Sequence, residues 1–110
     1  MVPGHLDQMI EECVEVLAGE DIGGIKMLAR HLAVRWPNEP ALAICFALTS
    51  GASHLEDQFQ DQVSRTHIAY KLAAIIAADI FALESMGQVP AKGQDLLHFW
   101  RRTEPYFFSL

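Results

Sequence analysis

One carboxylate, Asp79, lies in the most apolar stretch of this 110-residue sequence, IAYKLAAIIAADIFAL, residues 68–83. On a helical projection it falls within the face formed by the large aliphatic side chains, and its neighbours one turn away are all apolar. An unpaired carboxylate in such a setting takes up a proton or acquires a partner. The short turn after this helix predicts an antiparallel successor. Reflecting position 79 through that turn gives His98 as the partner, with Arg101 or Arg102 as alternatives.

The predicted pair of Asp79 and His98 has two interpretations. A buried acid–base pair fixes the register of two helices, and this is the interpretation that we favour. A carboxylate can also orient a histidine that binds a ligand or transfers a proton. Asp79 and His98 are therefore candidate ligand-binding residues.

A polar cluster follows the wholly apolar segment ALAICFAL, residues 41–48. Its members are Thr49, Ser50, Ser53 and His54. A few polar groups at the rim of an apolar space are typical of small-molecule sites. The same residue types also cap helix ends, and we favour capping for this cluster.

Metal chemistry has a weaker pattern. His54 and Asp57 stand three residues apart, as do Asp95 and His98, and this spacing places both side chains on one helix face. Metal-carboxylate bundles use two Glu-x-x-His motifs and further glutamates, and the sequence contains no such motif. We predict no metal site and no cofactor.

Nucleophilic catalysis has still less support. Cys13 and Cys45 lie in apolar segments and form neither a CxxC motif nor a zinc-type spacing. The sequence has no G-x-S-x-G motif and no phosphate-binding glycine loop. We therefore assign no catalytic residue and favour a protein that is not an enzyme.

The composition limits the partners. The formal net charge is −6, which disfavours binding to a phosphate backbone, and the apolar segment 41–48 cannot read base edges. The first residues do not resemble a signal peptide, and Lys71 and Asp79 interrupt the best candidate for a membrane span. We predict a cytoplasmic protein with reduced thiols that binds neither nucleic acid nor membrane.

Helical periodicity runs through nearly the whole chain and predicts one all-α domain, residues 1–110, built as a five-helix bundle. Glycine at 51 predicts the end of the third helix, and the capping-box pattern of Ser53 and Glu56 predicts the start of a long fourth one. A break of that long helix within residues 58–62 is the alternative. The predicted helices span about 5–18, 22–36, 41–48, 54–86 and 91–102.

The function that this pattern favours is binding or self-assembly. Hydrophobic residues make up 51% of the chain, and the predicted long helix needs more cover than its short neighbours offer. We predict a homodimer, with an unidentified protein partner as a further expectation. The alternative is a helical protein that binds a small molecule or metal, or a minor enzyme, using His98, Asp79 and His54. The aromatic interface candidates are Trp36, Phe81, Trp100, Tyr106, Phe107 and Phe108.

Overall fold

The computed structural model describes residues 1–19, 21–58 and 63–102. These residues form six helices and no strand, so the all-α prediction is confirmed. The helices are α1 (His5–Ala18), α2 (Ile22–Lys26), α3 (Leu28–Arg35), α4 (Ala41–Gln58), α5 (Val63–Ser85) and α6 (Gly93–Arg102).

Helix α4 is the centre of the fold and packs along α1 on one side and α5 on the other. Its apolar sequence explains this position, because Ile44, Leu48 and Leu55 are all buried. Helix α1 has the predicted bounds and buries Met9, Cys13 and Leu17 toward the core. The next most extensive contacts are made by α3 against α6 and by α2 against α5.

The close approach of α1 and α4 depends on Gly51. A Cβ atom at this position would lie 2.8 Å from the Cβ of Cys13, so any larger residue would push the two helices apart. The predicted helix end at this glycine is wrong, because α4 continues to Gln58. Thr49 fits inside the helix because its hydroxyl donates a hydrogen bond to the carbonyl oxygen of Cys45 at 3.1 Å.

The predicted long helix, residues 54–86, is divided between two elements. Residues 54–58 complete α4, α5 covers Val63–Ser85, and the alternative break at 58–62 falls mainly on residues outside the described ranges. Ser53 and Glu56 lie inside α4 and do not start a helix. The carboxylate of Glu56 instead accepts a hydrogen bond from Thr66 at 2.5 Å, which ties the end of α4 to the start of α5.

The predicted second helix is also two elements, α2 and α3, which meet at Met27. The predicted fifth helix begins at Gly93, two residues later than expected. The segment before it pairs with the start of α4, since the backbone N–H of Ala41 donates to the carbonyl oxygen of Ala91 at 2.8 Å. A Cβ at Gly93 would lie 2.6 Å from the carbonyl oxygen of Trp36, so this glycine lets α6 abut the end of α3.

Among the residues that the structure describes, helix α5 is covered on one face only. Leu72 and Ile76 are buried, whereas the outward face carries Ala74, Ala77 and Phe81. Within the described residues, Ser64–Ser85 is long and apolar enough to cross a membrane by length and composition. The same helix packs on α4, α2 and α6, and 33% of its apolar window is buried.

Candidate functional site

A stripe of outward side chains runs along α4 at helical spacing and changes character halfway. Leu42 and Phe46 form its apolar half and are 66% and 54% exposed. The polar half consists of Thr49, Ser50, Ser53, His54 and Asp57. The structure thus brings the four residues of the predicted polar cluster onto one surface, in the middle and last turns of a helix rather than at its cap.

The polar half of this stripe borders an open cavity of about 520 Å³ between α4 and α5. Thr49, Ser53 and Asp57 line the α4 side, and Tyr70 closes the α5 side. The Tyr70 hydroxyl donates to the carboxylate of Glu56 at 3.3 Å. Partial desolvation, followed by the negative charge of Glu56, raises the pKa of Tyr70, so this phenol stays protonated and donates.

A second groove lies on the opposite side of the same stripe, between α4 and α1, with a volume of about 540 Å³. Its floor is apolar, with Ile10 and Val14 half-buried. Its rim is polar, with two carboxylates on α1 and two hydrogen-bonding side chains on α4. The rim residues are Glu11, Glu15, Ser50 and His54.

The acidic residues of α1 differ in what they contact. Glu12 pairs with Arg35 of α3 and also lies 3.4 Å from the imidazole nitrogen of His31. Glu11 and Glu15, which line the groove, have no hydrogen bond or ion pair to any residue in the described part of the chain. The negative charge of α1 is therefore neutralised on the α3 side and left open on the groove side.

Asp79 has a partner on α6, as predicted, but the partner is not His98. The indole N–H of Trp100 donates to the carboxylate of Asp79 at 2.9 Å. His98 is exposed, as are Arg101 and Arg102, so the predicted pairing is wrong. Because an indole N–H is a donor only and does not titrate, this contact is a structural hydrogen bond with no proton to exchange.

The environment of Asp79 still perturbs its proton equilibrium. Burial raises the pKa of its carboxyl group, and the hydrogen bond from Trp100 lowers it by a smaller amount. The carboxylate also acts on Cys45, whose pKa is raised to about 11 by burial first and by the charge of Asp79 second. Cys45 donates its thiol hydrogen to the carbonyl oxygen of Ala73 at 3.4 Å. It is therefore an unreactive thiol that packs between α4 and α5.

The pairs that could have held a metal do not converge. The described residues contain no group of three or more His, Cys, Asp or Glu side chains placed to hold an ion. The Asp95 carboxylate instead accepts a hydrogen bond from the backbone N–H of Lys92 at 2.8 Å, so it caps the start of α6.

The aromatic interface candidates separate into three groups. Trp36 and Trp100 are buried in the core and expose little surface to a partner. The guanidinium group of Arg35 lies over the ring of Trp36, 4.6 Å from the ring centroid, in a cation–π contact. Phe81 is 76% exposed and projects from the outward face of α5. Tyr106, Phe107 and Phe108 lie outside the described residues.

Two features of this surface were missed in the sequence. Leu42 and Phe46, in the apolar segment 41–48, are exposed and line an apolar groove of about 460 Å³ between α4 and α5. Leu42, Phe46, Thr49 and Ser53 recur at spacings of four, three and four residues, and this was the available signal for an outward stripe. The acidic rim of the other groove had no such signal, because only the packing of α1 on α4 brings it to Ser50 and His54.

No match was found when the chain was compared with protein-family models, with curated proteins and with solved structures.

Proposed function

We propose that the chain is a cytoplasmic homodimeric assembly module whose interface is the outward face of α5 together with the apolar half of the α4 stripe. The observation that carries this proposal is a large exposed apolar surface that contains both a protruding side chain and a groove. The protruding side chain is Phe81, and the groove is lined by Leu42, Phe46, Ala74 and Ala77. Cys13 on α1 and Cys45 on α4 are both free thiols, which suits a reducing compartment.

The outward face of α5 has the side chains that close helix packing requires. Ala74, Ala77 and Ala78 are exposed, recur at spacings of three and four residues, and are followed one turn later by Phe81. Small residues let two helix backbones approach closely, while one large side chain fixes the register. The outward positions from 74 to 81 carry no charge, so an apposed helix would bury none there.

A two-fold axis makes this surface complementary to itself. If two α5 helices lie antiparallel with the axis midway between Ala77 and Ala78, positions 74 and 81 of opposite copies face each other. Each Phe81 then enters the groove that Ala74 of the second copy lines. The pairing occurs twice, so one surface supplies both halves of the contact.

The decisive experiment is native mass spectrometry of the untagged 110-residue chain, supported by sedimentation equilibrium. We expect a dimer of the 12.3 kDa chain. Phe81→Glu places a charge in the groove of the second copy, and the dimer should weaken by about tenfold or more, as loss of a central aromatic anchor does. Val34→Glu is the matched control, because Val34 is also exposed but lies on α3, away from this face.

Three results would overturn the homodimer. The first is a wild-type monomer at every concentration, and the second is a dimer that Phe81→Glu leaves unchanged. The third is partition of the wild-type chain, but not of Phe81→Glu, onto neutral lipid vesicles, which would assign the apolar face to a membrane. A dimer that Val34→Glu weakens as much as Phe81→Glu does would show that the loss comes from the added charge and not from the outward face of α5.

A further inference from the structure

We infer that the groove between α1 and α4 is a binding site for a small organic cation with an apolar body, such as an aromatic or aliphatic amine. This site is separate from the proposed dimer interface, which lies on the α5 side of α4. The inference begins with the size and lining of the groove. Its volume of about 540 Å³ is within the range of small-molecule sites, which extends from about 300 to 1,000 Å³.

The shape of the groove follows from the packing of its two walls. At Gly51 the backbones of α1 and α4 approach so closely that no Cβ fits between them. On the outward side of this contact, the half-buried side chains of Ile10 and Val14 form an apolar floor. An apolar ligand body placed on this floor would be removed from water. This hydrophobic contribution to the affinity does not depend on the charge of the ligand.

The charge of the rim selects the ligand. Glu11 and Glu15 stand one helical turn apart on α1 and both line the groove, so a ligand group placed between them would lie beside both carboxylates. Both lack an ion-pair partner among the described residues, in contrast to Glu12 on the same helix. An ammonium group at that position would contact two anions, whereas a carboxylate or phosphate would be repelled by both.

The opposite wall supplies directional contacts. Ser50 and His54 project from α4 across the groove, and neither has a hydrogen-bond partner elsewhere in the described residues. A hydroxyl group and a neutral imidazole can each donate or accept a hydrogen bond. They suit an N–H or O–H group of the ligand at the end opposite to the two carboxylates.

The test is a titration of the ¹⁵N-labelled protein with 2-phenylethylammonium, followed by two-dimensional NMR of the backbone amides. We expect saturable shifts at Val14, Ser50 and His54. The comparison ligand is 3-phenylpropionate, which has a similar shape and the opposite charge, and it should give no saturable shift. The double variant Glu11→Gln/Glu15→Gln should bind the amine about tenfold more weakly or worse, because both anions are gone.

Asp7→Asn is the control variant, because Asp7 is an exposed acid on α1 that does not line the groove. It should bind the amine as the wild type does. Equal binding of the two ligands, shifts that never saturate, or a double variant with unchanged affinity would each overturn the proposal. All of these substitutions lie outside the face proposed for the dimer, so the mass of each variant reports separately on self-association.

Discussion

Helix α4 packs against α1 on one side and against α5 on the other, and we call these two lines of helix contact seams. Each seam contains a buried cysteine, but the surface beside the first is charged and the surface beside the second is apolar. Toward α1, the seam closes on Gly51 and opens outward into a groove with unpaired carboxylates at its rim. Toward α5, the seam holds Cys45 against Ala73 and opens into a groove lined almost wholly by apolar side chains. The first surface suits a charged small molecule, and the second suits another protein surface.

The difference arises from the partner helices rather than from α4. Helix α1 carries exposed acids beside its buried stripe, and Glu11 and Glu15 give the groove that it forms with α4 a negative rim. Between residues 74 and 81 the outward positions of α5 are apolar, so the groove beside this part of the helix is apolar as well. One central helix can therefore support two unrelated binding surfaces, and each can be altered without the other.

The largest effect that separates the two seams should be seen in thiol reactivity. Burial raises the pKa of Cys13, on the α1 side, to about 12, and that of Cys45, on the α5 side, to about 11. Since the thiolate is the reactive form, Cys45 should react about a hundredfold more slowly in the folded protein than in urea, and Cys13 more slowly still. The measurement is the rate of modification by a chromogenic disulfide at pH 8, using Cys13→Ser and Cys45→Ser to assign each phase.

The same measurement tests the proposed interface. Cys45 lines the apolar groove, so its reaction should slow further as the protein concentration rises and the dimer forms. Cys13 is fully buried within one chain and should show no dependence on concentration. Equal rates for the two thiols would contradict the contrast between a closed and an open seam.

The next largest effect is expected for Gly51→Ala. The added Cβ would meet the Cβ of Cys13 at 2.8 Å, so the α1–α4 seam must open, and the free energy of unfolding should fall by about 1–3 kcal/mol. Urea denaturation monitored by circular dichroism measures the change. Gly24→Ala is the control, because its added Cβ meets only the carboxylate end of Asp21, and its stability should stay within about 1 kcal/mol of wild type. If the free energy of unfolding falls by the same amount in Gly51→Ala and Gly24→Ala, the contact between α1 and α4 tolerates the added methyl group.

The sequence predicted α1 well because its apolar stripe and Gly19 mark a helix without reference to anything else. Gly51 was misinterpreted for the opposite reason. A glycine in a sequence signals a helix end, but here it permits contact with Cys13, which is 38 residues away and invisible to local pattern. Likewise, the polar stripe from Thr49 to Asp57 could be predicted from spacing, whereas its acidic neighbours on α1 required the tertiary packing.

The pairing of Asp79 shows how a small error in a turn propagates. Reflection through the loop gave the correct helix but placed His98 where the structure has Trp100. Moving the midpoint of an antiparallel turn by one residue moves every predicted partner by two, and α6 does begin two residues later than expected. A titrating pair was thereby replaced by a hydrogen bond to an indole, which changes the chemistry that Asp79 can perform.

The smallest effect concerns Asp79, which touches the α5 seam but not the α1 seam. Its pKa is raised in the folded state, chiefly by burial, so the folded protein binds its proton more tightly than the unfolded chain does. Asp79 therefore makes its full contribution to the free energy of unfolding below the ordinary carboxyl pKa. This contribution is lost as the pH rises through the raised pKa of the folded state. Asp79→Asn removes the charge and keeps an acceptor for Trp100, so its stability relative to wild type should increase from pH 4 to pH 7. Urea denaturation from pH 4 to pH 7, monitored by tryptophan fluorescence, measures this difference in the free energy of unfolding between the variant and the wild type.

The same substitution should alter one thiol and not the other. The charge of Asp79 is the second cause of the raised pKa of Cys45, so Asp79→Asn should speed modification of Cys45 modestly. The pKa of Cys13 is raised by burial alone, and its rate should not change. If both thiols accelerate together, the variant has loosened the whole core. If the relative stability of Asp79→Asn is flat from pH 4 to pH 7, the carboxylate has the same proton affinity in the folded and unfolded chains, and its burial does not perturb it.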